Sequence, residues 1–263
     1  MQRRTFLGVA AAALVSRSVL AQDPTSAAKS ALAPSGRIRV AINFGNAALA
    51  LRDANGQLSG ITVDIAQELG KRTGLPITMV PFEAAGKVTA AVKTDAWDVA
   101  FLAIDPERAK ELTFTAPYVV INGNYVVRKD APINSIADID RDGVRIAISR
   151  NSAYDLYLSR TLKHAQLFRA DNTPKALELF KTSGYEAVAG VKTAMEQFIR
   201  KDPGARMIPE SFMEIRQAMC NPAGRDAAAA YLSRFVESIK ADGFVARAIA
   251  QHGVVDASVA PSA

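Results

Sequence analysis

Trp97-Asp98-Val99-Ala100-Phe101-Leu102-Ala103-Ile104-Asp105-Pro106-Glu107-Arg108-Ala109-Lys110 decides the architecture of this chain. Residues 98–103 form an almost continuous apolar run, the pattern of a strand buried on both faces in a mostly parallel sheet. Asp105 then stands where a side-chain oxygen caps a helix, and Pro106 follows in the first turn, where its missing N–H costs nothing. A buried strand leading into a helix start is the unit of an α/β fold, and such sheets bind ligands outside the carboxyl ends of their strands.

The same alternation continues on both sides. Towards the N-terminus, 38–42 and 77–80 read as strands and 87–93 as a helix, while Val63, Ala66, Leu69 and Gly70 recur at helical spacing up to a C-cap at Gly74. Towards the C-terminus, 123–128 is a strand, and a second alternation begins near Ser135. It predicts strands at 145–149, 167–169, 186–189 and 206–208, with helices at 153–163, 173–181 and 193–201. Thr173 is expected as the N-cap before Pro174. The chain then offers a helix at 225–240, with Leu232, Phe235, Val236 and Ile239 on one face, and another at 244–250. No internal sequence repeat is visible. Two runs of alternating elements predict an α/β fold of two lobes, each a mostly parallel sheet flanked by helices, with the site in the cleft between them.

Composition narrows the function. Of 263 residues, 49% are apolar and 22% charged, a balance that folds. Residues 1–22 read MQRRTFLGVAAAALVSRSVLAQ: a basic start, an apolar run too short to span a bilayer, and small residues ending at Ala21. That is a secretory signal, cleaved near Ala21, which places the chain in the periplasm. Arg3-Arg4-Thr5-Phe6-Leu7 resembles the twin-arginine consensus, and Arg17 fits that route; a general secretory signal with an incidental Arg pair is the alternative. Residues 22–36, rich in Ala, Ser and Pro, read as a flexible leader. Removing 1–21 removes three Arg and no acid, so the net charge of +6 becomes +3 and no basic run remains for nucleic acid. The lone Cys220 excludes an internal disulfide and reads as a buried thiol, and His164 and His252 lack metal-ligand spacing. No metal, cofactor or direct membrane insertion is expected, and the chain is expected to be a monomer.

The chain resembles the family-3 extracellular solute-binding proteins, the amino-acid receptors of bacterial ABC importers. The resemblance runs over about 37–253. It is carried by Gly56-Gln57-Leu58-Ser59-Gly60-Ile61-Thr62-Val63-Asp64-Ile65-Ala66, by Trp97-Asp98-Val99-Ala100, and above all by Pro106-Glu107-Arg108-Ala109-Lys110 leading to Phe114-Thr115-Ala116-Pro117-Tyr118. Arg145-Ile146-Ala147-Ile148 and Lys240-Ala241-Asp242-Gly243-Phe244 add to it. The resemblance implies a two-lobed type II periplasmic-binding-protein fold. Lobe 1 would comprise 37–120 plus 218–253, lobe 2 would be 121–217 with the hinge strands, and 254–263 would be a tail. It also implies a partner, an ABC permease in the inner membrane, and a ligand that is an amino acid or related small organic acid held by its carboxylate.

In that family the Arg of the Pro-Glu-Arg-Ala-Lys block pairs with the ligand's carboxylate, a role that falls on Arg108 and suits a bidentate guanidinium. A salt bridge to Glu107 or Glu111 within its own helix is the competing use. Ala103 and Asp105 would add backbone groups. Asn43, Phe44 and Asn46 follow the first strand, where the family places ligand contacts. Asn151, Ser152 and Ala153 would supply a hydroxyl and helix N-terminal amides, unless they are ordinary loop and cap residues.

Departures matter too. The aspartate that holds a ligand ammonium in amino-acid binders aligns with Val191, beside Gly190, and the acid after the first strand is Asn43. The usual stacking aromatic is Ala85, followed by Gly86 and Lys87. Lys87 either is solvated or faces inward and makes the pocket more cationic. An α-ammonium would lack a counter-ion, which points to an organic acid or a derivative with neutral nitrogen. The chain is expected not to be an enzyme. The alternatives are a dehydratase on the same fold, with Glu186 as the nearest proton donor, and a sensory ligand-binding protein.

Overall fold

The structure is a computed structural model and describes residues 23–263; the expected signal at 1–21 lies outside the described residues. A first helix, α1 (Ser26–Leu32), is capped by the Thr25 hydroxyl, which accepts from the Ala28 N–H at 3.1 Å. It buries Ala28 and Leu32, an i, i+4 pair. The expected flexible leader is therefore helical over that span, because this apolar pair gives it a face to bury.

The first alternation comprises β1 (Ile38–Asn43), a small hairpin of β2 (Leu51–Arg52) and β3 (Leu58–Ser59), α2 (Ile61–Thr73), β4 (Ile77–Phe82), α3 (Ala85–Ala90) and β5 (Val99–Ala103). α2 buries Ile61, Ile65, Ala66 and Leu69 and stops at Gly74, at φ 68°. All five residues of β5 are buried, as its apolar run requires. A single 3₁₀ turn (Arg108–Lys110) then stands where the short helix is expected, with the Glu107 N–H donating to Asp105 Oδ1 at 2.8 Å.

The 17-residue β6 (Leu112–Arg128) carries the chain into the second alternation. This comprises β7 (Arg145–Ser149), α4 (Ala153–Thr161), β8 (Gln166–Ala170), α5 (Thr173–Thr182), β9 (Ala187–Val191), α6 (Lys192–Lys201) and β10 (Ala205–Met207). The N-cap of α5 is Asn172, whose Oδ1 accepts from the Lys175 N–H at 3.0 Å, so Thr173 lies one residue inside. The chain returns through β11 (Met213–Pro222) and ends with α7 (Asp226–Ala241), α8 (Phe244–Gln251) and β12 (Ser258–Val259).

The main sheet has the order β4-β1-β5-β11-β6-β9-β7-β8. β4, β1 and β5 are parallel, as are β9, β7 and β8. Between these triplets the long β11 and β6 run antiparallel to each other and to their neighbours. The fold is the expected α/β class. α7 packs on α1, β6, β11 and α8, and α8 reaches α2, so the last helices cover the half built by the first.

Both halves use one device at the strand ends remote from the cleft. The Arg39 N–H and Nε–H donate to Asp98 at 3.0 and 2.9 Å, and the Arg145 N–H and Nε–H donate to Glu186 at 2.8 and 3.0 Å. Burial pulls Asp98 upward, but hydrogen bonds from Arg39 and Arg225 hold it below the usual carboxylate range. Residues 254–263, expected as a tail, are pinned: β12 pairs with β6 at Val119 and Val120 and covers an edge that would otherwise leave backbone groups bare. Asp256 accepts from Asn122 Nδ2 at 3.0 Å and lies 3.2 Å from Lys192 Nζ.

Candidate functional site

The last residues of β1, β5, β7 and β9 (Asn43, Ala103, Ser149 and Val191) all line one cavity of about 40 Å³ between the two parallel triplets. That is the carboxyl-end position expected for an α/β sheet. Ile215 and Gln217 of β11 complete it from the long strands, with Tyr154 from α4 and Thr173 from α5.

Arg108 is the charged residue of this cavity, and it is 2% exposed. Its Nη1 donates to the Ala103 carbonyl at 2.9 Å, and its Nη2 donates across the cleft to the Asn151 carbonyl at 3.0 Å. Three of the five guanidinium donors remain, and Nε is buried without a partner. The neighbouring acids are committed elsewhere: Glu107 to Lys110 at 2.6 Å, Glu111 to Lys93 at 3.1 Å and Asp105 to Arg160 at 2.8 Å. The helix-internal salt bridge weighed from sequence is thus not formed. Burial draws the Arg108 guanidinium down to about 10, against Asp105 and Cys220, which raise it; it stays a cation at neutral pH. An unpaired buried charge is unfavourable, so this one calls for an anion.

Neutral groups surround it. Ser152 caps α4 by accepting from the Asp155 N–H at 3.0 Å and keeps its own hydrogen to donate. The first α4 amides, at Ala153 and Tyr154, have no acceptor within the helix. The Tyr154 hydroxyl lies 3.4 Å from Thr173 Oγ1, and burial pushes the phenol above its ordinary range. Phe101, Leu102, Val191 and Ile215 supply apolar wall.

Of the residues expected at the site, Asn43, Asn46, Ala103, Arg108, Ser152 and Ala153 line the cavity. Phe44 does not: it turns into an outer groove, with the Arg52 guanidinium 5.4 Å from its ring. Asp105 turns its carboxylate to the Glu107 amide and Arg160. Gly190 faces α6, where an added Cβ would meet Met195 Cε at 2.6 Å, and strand alternation gives the cavity to Val191 instead. Asn151, at φ 54°, contributes its carbonyl to Arg108 but lines a separate outer groove. Lys87 pairs with Glu83 one helical turn away, and its side chain is 51% exposed, so it does not enter the cavity. Glu186, weighed as a proton donor, sits at the far end of β9 on Arg145. Sequence reasoning missed Ser149, Tyr154, Thr173, Ile215 and Gln217. Ser149 was recoverable as the last residue of a predicted parallel strand; Gln217 depends on long-range antiparallel pairing that no local pattern announces.

No group of three or more metal-ligating side chains occurs among the described residues, and no described helix is long and apolar enough to cross a membrane.

Residues 38–254 match the family model of bacterial extracellular solute-binding proteins, family 3. The virulence sensor protein BvgS of Bordetella pertussis is 27% identical over 146 residues, 55% of this chain but 12% of that protein. The L-cystine-binding protein TcyJ of Escherichia coli is 20% identical over 201 residues, 76% of this chain and 75% of that one. Among solved structures, a mutant of ArgBP from T. maritima superposes with a TM-score of 0.74 at 20% identity, covering 86% of this chain and 99% of that one.

Proposed function

The chain belongs to the bacterial extracellular solute-binding proteins of family 3, and from that premise we propose that it is the periplasmic substrate-binding component of an ABC-type importer. Its solute is a small carboxylate, an amino acid or related organic acid, held by Arg108 in the interlobe cavity. One observation carries this reading: Arg108 is a fully buried cation facing a cavity, with no ion-pair partner among the described residues and three donors free. Residues 37–120 and 218–253 move as one lobe and 121–217 as the other, and closure on the solute is what an inner-membrane permease reads. The mature chain acts as a periplasmic monomer after cleavage near Ala21. Binding without catalysis is the reading favoured by the named relatives, which include an L-cystine-binding protein.

The partial match to a virulence sensor supports a second reading, in which the same closure feeds a signalling partner. Reconstitution with a candidate permease separates the two: ligand-dependent stimulation of ATP hydrolysis marks the importer component.

The site itself is tested by a thermal-shift screen of amino acids, keto acids, dicarboxylates and aromatic acids. A ligand at about 100 times its Kd stabilises by about 2.7 kcal/mol, a melting shift of about 5–10 °C for a chain of this size. Arg108→Ala is expected to weaken binding by about 30-fold or more while keeping its unliganded melting point. No shift with any carboxylate, or full affinity in the variant, would remove the proposal.

A further inference from the structure

We infer that the solute is a compact carboxylate whose other groups are uncharged, and that a zwitterionic α-amino acid is excluded. This rests on the cavity reading above and sharpens it. The cavity presents the Arg108 cation and the positive end of α4, capped at Ser152, and no Asp or Glu lines it. A ligand carboxylate finds its charge there; an ammonium on the next carbon finds repulsion and no counter-charge.

The acids flanking the cavity in sequence are not free to serve. Asp105 is bound to Arg160 at 2.8 Å, Asp155 to Arg169 at 2.9 Å, and Glu83 to Lys87. Recruiting any of them would break an ion pair and leave a cation bare. Three carbonyl oxygens at the cavity's edge, the other means of holding an ammonium, already accept one hydrogen bond each. Those of Ala103 and Asn151 accept from Arg108, and that of Ser149 accepts from the Ser152 N–H at 3.2 Å. What remains is neutral hydrogen bonding from Gln217, Ser149, Ser152, Tyr154 and Thr173, groups that serve a hydroxyl or oxo oxygen without leaving a charge unbalanced, whereas an ammonium would meet only neutral acceptors beside the Arg108 cation. Size bears on compactness, not on charge. At about 40 Å³, and with one water needing about 10–15 Å³, the cavity holds a body of a few heavy atoms.

The test is isothermal titration calorimetry of the purified protein with matched two-, three- and four-carbon acids that carry hydrogen, hydroxyl, oxo or ammonium at the α-carbon. The pyruvate, lactate, propionate and alanine set is the central one. In at least one set an uncharged member is expected to bind about tenfold or more tighter than its amino-acid partner. Val191→Asp places a carboxylate on the cavity wall at the N-cap of α6, a position where Asp is favoured, and is expected to move the preference at least about tenfold towards the amino acid. If the amino acid binds wild type as tightly as its uncharged partners, and Arg108→Ala abolishes that binding, the inference fails while the site reading stands. A Val191→Asp variant that stays indifferent to the amino acid also counts against the inference. If none of these small acids binds, the inference fails while the site reading rests on the broader thermal-shift screen; if Arg108→Ala leaves binding intact, the site reading fails and takes the inference with it.

Discussion

Arg108 is held at a cost. Its depression from the ordinary guanidinium range to about 10 corresponds to about 3 kcal/mol against the folded state at neutral pH. The sign follows from its being a base: a lowered folded pKa disfavours the cation, and the penalty vanishes only above the unfolded value. A bound anion reverses the effect by favouring the cation. Ligand affinity is therefore expected to be flat from about pH 6 to about pH 9 and to fall about tenfold per unit above about pH 10, as Arg108 loses its proton. Affinity measured across that range checks this; a loss of binding centred near pH 6 or 7 would assign control to another group. The position of Arg108 at a strand end was legible because it follows a buried strand, Val99–Ala103, at a Pro-marked turn, whereas its expected role came from the family resemblance. Lys87 could also have been read correctly, since Glu83 lies four residues before it, the spacing of neighbours on one helix face.

The two halves touch through backbone where α3 meets the loop after β7. A Cβ at Gly86 would stand 2.7 Å from Asn151 Cβ and 2.9 Å from the Arg150 carbonyl, closer than packed atoms tolerate. Gly86 thus permits the approach that lets Arg108 reach the Asn151 carbonyl. Gly86→Ala should leave the unliganded melting temperature unchanged or slightly raised, since Ala is favoured over Gly in a helix by about 1 kcal/mol. The same change should weaken ligand binding by about tenfold or more, because the closed arrangement must open to admit the methyl group. Calorimetry with scanning of the unliganded variant reads both signs at once; full affinity would mean that the contact is dispensable. Most elements were legible from periodicity and caps. α1, the β2–β3 hairpin, the first part of β6, β11 and β12 were not: seven residues make a marginal helix, here held by packing on α7, and the missed strands are defined by their pairing with distant partners rather than by a local pattern.

At the scale of the molecule, β6 and β11 are the strands shared by both triplets, so relative motion of the halves must pass through them. If the lobes are 37–120 plus 218–253 and 121–217, as proposed, distances within a lobe are expected to stay constant on ligand binding and distances between lobes to shorten. Spin labels at Lys71→Cys on α2 and Arg234→Cys on α7 form an internal pair, and Lys71→Cys with Lys175→Cys on α5 forms a crossing pair. All three positions are exposed, and the native Cys220 is buried and out of reach of the label. Electron–electron double resonance should show an unchanged distribution for the first pair and a shorter one for the second when ligand is added. A ligand-dependent change within the first pair would redraw the lobes.

The amino-acid sequence alone determined the α/β class, the two runs of alternating strands and helices, and the position of Arg108. All of these rest on local physics: apolar periodicity, capping side chains and Pro or Gly at turns act over a few residues. Which side chains share the cavity was decided only by tertiary structure. Ser149, Thr173 and Gln217 meet Arg108 because β7, α5 and β11 arrive from distant parts of the chain. The repeated anchor of Arg39 on Asp98 and Arg145 on Glu186 belongs to the same category, since it recurs in geometry without recurring in sequence. Charge balance was settled at that level as well. Each acid near the cleft is neutralised by a cation brought by folding, and the guanidinium of Arg108 is the one among the cavity's residues left for a solute to complete.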